Sequence, residues 1–270
     1  MAGRENTAGR RAEQRKRSVA SGNEIDPMHQ FEINKIVDLH FLGHDISFTN
    51  SSLWMVIVVA VVSLITLVGT SSRSIVPGRL QTLAEMAYEF VANLLTGVTG
   101  KEGMRFFPLV FSLFMFVLTA NFLGLIPGAF TVTSHIIITA CFALLVIGTV
   151  IVAGVANHGS HFLHLFVPSG LPGWLLPFIV LIEIISFLSR PISLALRLFG
   201  NMLAGHVALK LFGAFTVGLL GAGAASVLAP LPLITAVALT ALEFLVAFLQ
   251  AYVFTILTCV YLNDALHPGH

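Results

Sequence analysis

Between Phe107 and Leu262 only five residues carry a formal charge: Glu183, Arg190, Arg197, Lys210 and Glu243. A soluble globular domain is about 25% charged. This chain is 10% charged and 56% hydrophobic, with a mean hydropathy of +0.92. It cannot cover a water-facing surface, so it is expected to be an integral membrane protein. The net charge of +1 says little, but its distribution says more: of 27 formal charges (14 Lys and Arg, 13 Asp and Glu), 21 lie in residues 1–106.

The expected fold is all-α: about five membrane-crossing helices and one interfacial amphipathic helix. Residues 1–28 read as a basic, flexible tail, although Met28 could serve as a later start. No apolar core with a cleavage site adjoins the tail, so it does not read as a signal peptide. Residues 29–262 read as one membrane domain and 263–270 as a C-terminal tail. Within that domain residues 29–50 read as a short amphipathic or irregular segment. Spans are expected at 53–70, 107–126, 134–155, 175–220 and 226–262, since about 20 apolar residues cross a bilayer core. Pro127 to Ser134 reads as a turn joining two spans into an antiparallel hairpin. Residues 80–97 differ: Leu80, Leu83, Ala87, Phe90, Val91 and Leu94 mark one helical face, and Gln81, Glu85 and Glu89 the other. The last two apolar runs exceed one perpendicular crossing, so long helices there must tilt or kink. With Gly218, Gly221 and Gly223 between them, they read as a tilted antiparallel hairpin.

Charge next to a span sets its orientation more than distant charge does. No Lys or Arg lies between Lys35 and the first span, whereas Arg73 and Arg79 follow it. This puts residues 71–79 in the cytoplasm, the N-terminus outside and the C-terminus inside, against the pull of the basic tail. The 157–173 loop then falls in the cytoplasm.

Ionisable groups inside apolar spans are costly, which makes them functional candidates by default. Glu183, Arg190 and Arg197 are seven apart, close to one helical face, with Pro191 able to kink the helix locally. Ser186, Ser189 and Ser193 add hydroxyls to the same stretch. Glu243 and Gln250 are also seven apart. Facing residues of an antiparallel pair have nearly constant number sums, so one register faces Arg197 with Gln250 and His206 with Glu243. A buried His–Glu pair is charge-compensated and can exchange protons, whereas a guanidinium stays protonated. Glu183 and its serines lie on the cytoplasmic side of Arg197. Asn201, His206 and Glu243 lie towards the other face. Two wet half-paths then approach a fixed cation from opposite sides.

Residues 188–206 (LSRPISLALRLFGNMLAGH), 249–262 (LQAYVFTILTCVYL) and 120–127 (ANFLGLIP) resemble the a subunits of F-type ATP synthases, a likeness running from residue 28 to 262. The resemblance implies proton translocation, with Arg197 facing the carboxylates of a rotating c-ring. Glu183 and Ser193 would line the cytoplasmic half-channel, and Asn201, His206, Glu243 and Gln250 the periplasmic one. Ser186, Ser189 and Arg190 are accessory candidates. The His206/Glu243 arrangement is the mitochondrial-like one, with the pair exchanged between helices relative to enterobacterial members. The implied partners are c-ring subunits, peripheral-stalk b-type subunits, membrane lipid and protons, but no nucleic acid. The implied setting is a bacterial inner membrane. No catalysis, cofactor or metal is expected at this chain, which has no Gly-rich Lys loop for nucleotide phosphates.

Plainer readings stand beside these. Arg190 could snorkel to the interface. Lys210 reads as structural or snorkelling, and His135 as an interfacial cap. His158, His161 and His164 invite a metal reading, but solvated loop histidines fit better without a carboxylate or Cys to complete a site. Cys141 and Cys259 read as small buried hydrophobes. A secondary transporter would show internal repeats, and none is visible. A haem subunit would need facing midspan histidines.

Overall fold

A computed structural model describes residues 35–37, 40–41, 44–45, 47–71, 77–126, 129–159 and 175–267. The tail at 1–28, Arg73 and most of the 157–173 loop, with His161 and His164, lie outside the described residues. Six helices follow one another: α1 (Asn50–Ser71), α2 (Arg79–Thr99), α3 (Phe107–Gly124), α4 (Ile136–His158), α5 (Leu176–Leu220) and α6 (Pro230–Leu266). Among the described residues five of them, all but α2, are long and apolar enough to cross a membrane. A 3-10 turn, Lys101–Phe106, leads into α3.

Of the 29–50 segment expected to be amphipathic or irregular, the described residues before α1 form short strands. β1 (Lys35–Val37) pairs antiparallel with β4 (Phe48–Thr49), and β2 (His40–Phe41) with β3 (His44–Asp45). Alternation of apolar and polar side chains suits a strand period of two as well as a helical one over so short a stretch.

The α5 helix has 45 residues and α6 has 37. At 1.5 Å per residue α5 is about 67 Å long, roughly twice a bilayer core. Pro191 lies inside α5, which continues through it. α6 packs against α5, α3, α2 and α4 and is the centre of the bundle, while α1 packs at the edge against α2 and α3. The shared core runs through Val91, Leu95, Val110, Val117, Val146, Leu194, Leu198 and Phe254. α6 continues to Leu266, past the expected end at 262, because Leu262, Ala265 and Leu266 are all buried.

Three local expectations change. On α2, Leu80 and Leu83 are exposed, while Gln81, Ala84, Val91 and Leu95 are buried. Gln81 tolerates this because its Nε2 donates to Glu85 Oε1 at 2.8 Å. Cys259 is buried, but Cys141 is exposed. It shares the outward side of α4 with Ile137, Leu144 and Leu145, where lipid rather than protein covers a small apolar group. His135 precedes α4 without a side-chain cap; its ring stacks on Phe130 at 4.8 Å.

The Pro127–Ser134 connection is more than a turn. Every residue from Ala129 to Ser134 is buried. Asn121, inside α3, anchors it: its Oδ1 accepts from Thr133 Oγ1 at 2.9 Å, and its Nδ2 donates to the Ala247 carbonyl of α6 at 3.2 Å. Val132–Ser134 forms a single 3-10 turn, and backbone that departs from the α-helix is tolerated in a membrane protein when it is buried in protein in this way.

Candidate functional site: a polar seam between the two long helices

Polar side chains of α5 and α6 meet at three places along their antiparallel contact. At one end Arg190 Nη1 donates to Asp264 Oδ2 at 2.8 Å, and Arg190 Nη2 lies 3.8 Å from Glu183 Oε1. The guanidinium also lies over the rings of Tyr261 at 5.0 Å and Phe187 at 5.6 Å. Arg190 is thus held in an ion-pair cluster rather than snorkelling alone. Glu183 belongs to the same cluster. Ser186, Ser189 and Ser193 are exposed on the same helix, and Ser189 Oγ donates to the Ser186 carbonyl at 2.7 Å.

In the middle, Asn201 Nδ2 donates to Gln250 Oε1 at 2.8 Å. The partner of Gln250 is therefore Asn201, one turn beyond the expected Arg197. Helices that cross at an angle do not keep a constant register sum, and Arg197 points elsewhere. Arg197 is exposed, as are its neighbours Ile192, Ser193 and Leu196. Among the described residues Arg197 makes no hydrogen bond or ion pair. It presents a positive charge on an outward face that also carries Ile192, Leu196, Ser193 and Asn201.

At the third place Glu243 packs on Gly205. A Cβ at residue 205 would collide with the Glu243 carboxylate, so any larger residue would have to push that carboxylate aside. Glu243 is buried, and neither of its oxygens has a hydrogen-bond partner among the described residues. His206, next to Gly205 in sequence, is buried, but its Nε2 lies 3.1 Å from Thr131 Oγ1. The structure brings both groups to one region without a direct hydrogen bond between them.

Sequence reasoning missed Asp264, Asn121 and Thr131. Asn121 had a visible signal, an amide inside an apolar span. Asp264 had a weaker one, the lone charge between Glu243 and the chain's end. Of the histidine run only His158 lies among the described residues, and its Nε2 is 2.9 Å from the Leu266 carbonyl, tying α4 to the end of α6. A cavity of about 460 Å³ opens between α1, α2 and α3, lined in part by Thr66, Gln81, Glu85 and Tyr88. It draws no lining from α5 or α6 and stands apart from the seam.

A family model described as ATP synthase A chain matches residues 52–263. A protein named ATP synthase subunit a from Beijerinckia indica is 60% identical over 253 residues, which cover 93% of this chain and 100% of that one. Its namesake from Mesorhizobium japonicum is 62% identical over 251 residues, 93% of this chain and 100% of the relative. That from Rhizobium leguminosarum is 64% identical over 245 residues, 90% and 98% respectively. The same block that holds Arg197, Asn201 and His206 thus lies inside a match spanning nearly all of the membrane bundle, and the chain belongs to the ATP synthase A chain family.

Proposed function

We propose that this chain is the stationary proton-translocating subunit of a rotary ATP synthase, with Arg197 dividing two half-channels. The observation that carries the division is the outward Arg197, which has no hydrogen bond or ion pair among the described residues. A lone cation at membrane depth costs about 2.5–3.5 kcal/mol on insertion scales. An acid on a neighbouring protein removes that cost. A guanidinium keeps its proton, so it can attract such an acid but cannot carry the proton across.

In this reading the partner is a ring of c subunits, each bearing one carboxylate. Protons reach it from outside along Glu243, His206, Asn201 and Gln250. A neutralised carboxyl can face lipid; a charged one cannot and is held at Arg197. It discharges towards the cytoplasm past Ser193, Ser189, Ser186 and Glu183, with Arg190 as a positioning group. Direction comes from the membrane potential, about 2.3 kcal/mol per charge per 100 mV. Nucleotide chemistry belongs to other subunits of the complex, and b-type stalk subunits keep this one from turning. The N-terminus lies outside and the C-terminus in the cytoplasm of a bacterial plasma membrane.

The test is Arg197→Ala in the assembled complex, read as ATP-driven acidification of inverted vesicles. Because Arg197 makes no hydrogen bond or ion pair among the described residues, assembly is expected to survive while pumping is lost. An assembled variant that pumps at the normal rate removes the mechanism.

A further inference from the structure

We propose that Thr131 is a positioning residue for His206, and that the buried 129–134 segment exists to deliver its hydroxyl. This rests on the reading of His206 as part of the outer half-channel. Two residues 75 apart in sequence meet here: Thr131 Oγ1 lies 3.1 Å from His206 Nε2, with both side chains buried.

The placement of Thr131 is determined from several sides. Its hydroxyl also lies 3.4 Å from the Gly124 carbonyl. Gly124 must lack a side chain, because a Cβ there would sit 2.8 Å from Thr131 Cγ2 and 3.1 Å from its Oγ1. The Thr131 carbonyl accepts from Ser134 Oγ at 2.6 Å. Thr133, two residues on, is fastened to Asn121 and through it to α6. The segment is thus pinned at both of its threonines, and a short fold is kept inside the protein.

A hydroxyl is the right group for this position. It has one proton to give and two lone pairs to receive. When His206 Nε2 carries hydrogen, the ring donates to Thr131, whose own proton turns towards the Gly124 carbonyl. When Nε2 is bare, Thr131 donates to it. The ring keeps one orientation in both states, with no heavy atom moving. A carbonyl or an ammonium could serve only one of the two states.

Two side-chain properties can be separated, because threonine offers a hydroxyl and a methyl group. Thr131→Val keeps the shape and removes the hydroxyl. Thr131→Ser keeps the hydroxyl and removes the methyl. Thr131→Ala removes both. ATP-driven proton pumping is measured in inverted vesicles and divided by the amount of assembled complex, with Arg197→Ala in parallel.

Thr131→Val is expected to pump about tenfold more slowly per complex, the scale of one buried hydrogen bond. Thr131→Ser is expected to stay close to the unaltered chain and Thr131→Ala to fall with Val. The proposal is overturned if Val pumps normally, or if Ser loses as much as Ala. Should the Val variant fail to assemble, the Ser and Ala variants, which differ by one oxygen, decide alone. Normal pumping by Arg197→Ala overturns the functional reading itself. A dead Arg197→Ala beside a normal Thr131→Val removes only the role given to Thr131.

Discussion

Arg190 on α5 donates to Asp264 on the last turn of α6 across 2.8 Å, and the same guanidinium stands 3.8 Å from Glu183. One cation therefore serves two acids at the end of the hairpin. All three side chains are partly exposed, so each pairing contributes about 1 kcal/mol or less. The order of effects follows from what is left behind. Arg190→Ala leaves two neighbouring carboxylates without a counter-charge. Asp264→Ala leaves Arg190 with Glu183. Heat inactivation of pumping is expected to shift further for Arg190→Ala than for Asp264→Ala. The exchange Arg190→Asp with Asp264→Arg is expected to be milder than Arg190→Ala. Equal losses from both alanine variants, with no gain from the exchange, contradict the shared cluster.

Asn201 and Gln250 make an unequal pair. Gln250 is buried and its Nε2 has no hydrogen-bond partner among the described residues, while Asn201 is exposed. Removing Asn201 leaves the whole Gln250 amide buried without a bond, at a cost of about 1–3 kcal/mol. Removing Gln250 frees an amide that has other places to turn. Asn201→Ala is therefore expected to destabilise the assembled complex more than Gln250→Leu, measured as the temperature at which c-ring and this chain separate in detergent. The reverse order would mean that the bond is absent in the working complex.

The bundle was legible because membrane spans leave a coarse signal: long runs without charge, broken by Gly, Pro and polar clusters. Thus α3, α4 and α5 begin within two residues of expectation. Charge inside apolar spans and the antiparallel register singled out Arg197, His206 and Glu243, and the resemblance implied their roles. What sequence could not show is direction about the helix axis. A seven-residue spacing places Arg190 and Arg197 near one face, yet one is drawn inward by Asp264 and the other stays outward. The last span was expected to end at 262, although burial of Ala265 and Leu266 carries the helix on to Leu266. The 129–134 segment was hardest. Its Thr-Val-Thr-Ser run looks like a water-facing turn, and only the long-range bonds to Asn121 and His206 turn it inward.

Gly205 gives a prediction about shape. A methyl group at this position would overlap the Glu243 carboxylate. The helix backbone cannot retreat without disturbing its neighbours, so the carboxyl must move. Gly205→Ala is expected to lower pumping per assembled complex by about tenfold, the loss that follows a small misplacement of a reacting group. Shortening the acid by one methylene draws it back, so Glu243→Asp added to Gly205→Ala is expected to recover part of the rate. A Gly205→Ala variant with unchanged pumping would show that the close packing of Gly205 and Glu243 does not hold in the working subunit.

Asn121 is fully buried and holds three elements with two bonds: α3 itself, the inward segment through Thr133 and α6 through the Ala247 carbonyl. Leucine at this position would match the size of asparagine but not its polarity. Thr133 would lose its acceptor in a dry environment, at about 1–3 kcal/mol. The second bond matters less, because the Ala247 carbonyl also sits within the backbone ladder of α6. The expected consequence is release of the segment, with His206 losing its hold through Thr131. Asn121→Leu is therefore expected to lower both assembly and pumping per complex. Thr133→Val paired with Asn121→Leu removes the stranded hydroxyl as well, and is expected to restore assembly more than pumping. If the pair assembles no better than Asn121→Leu alone, the bond between Asn121 and Thr133 is not what keeps the segment inside.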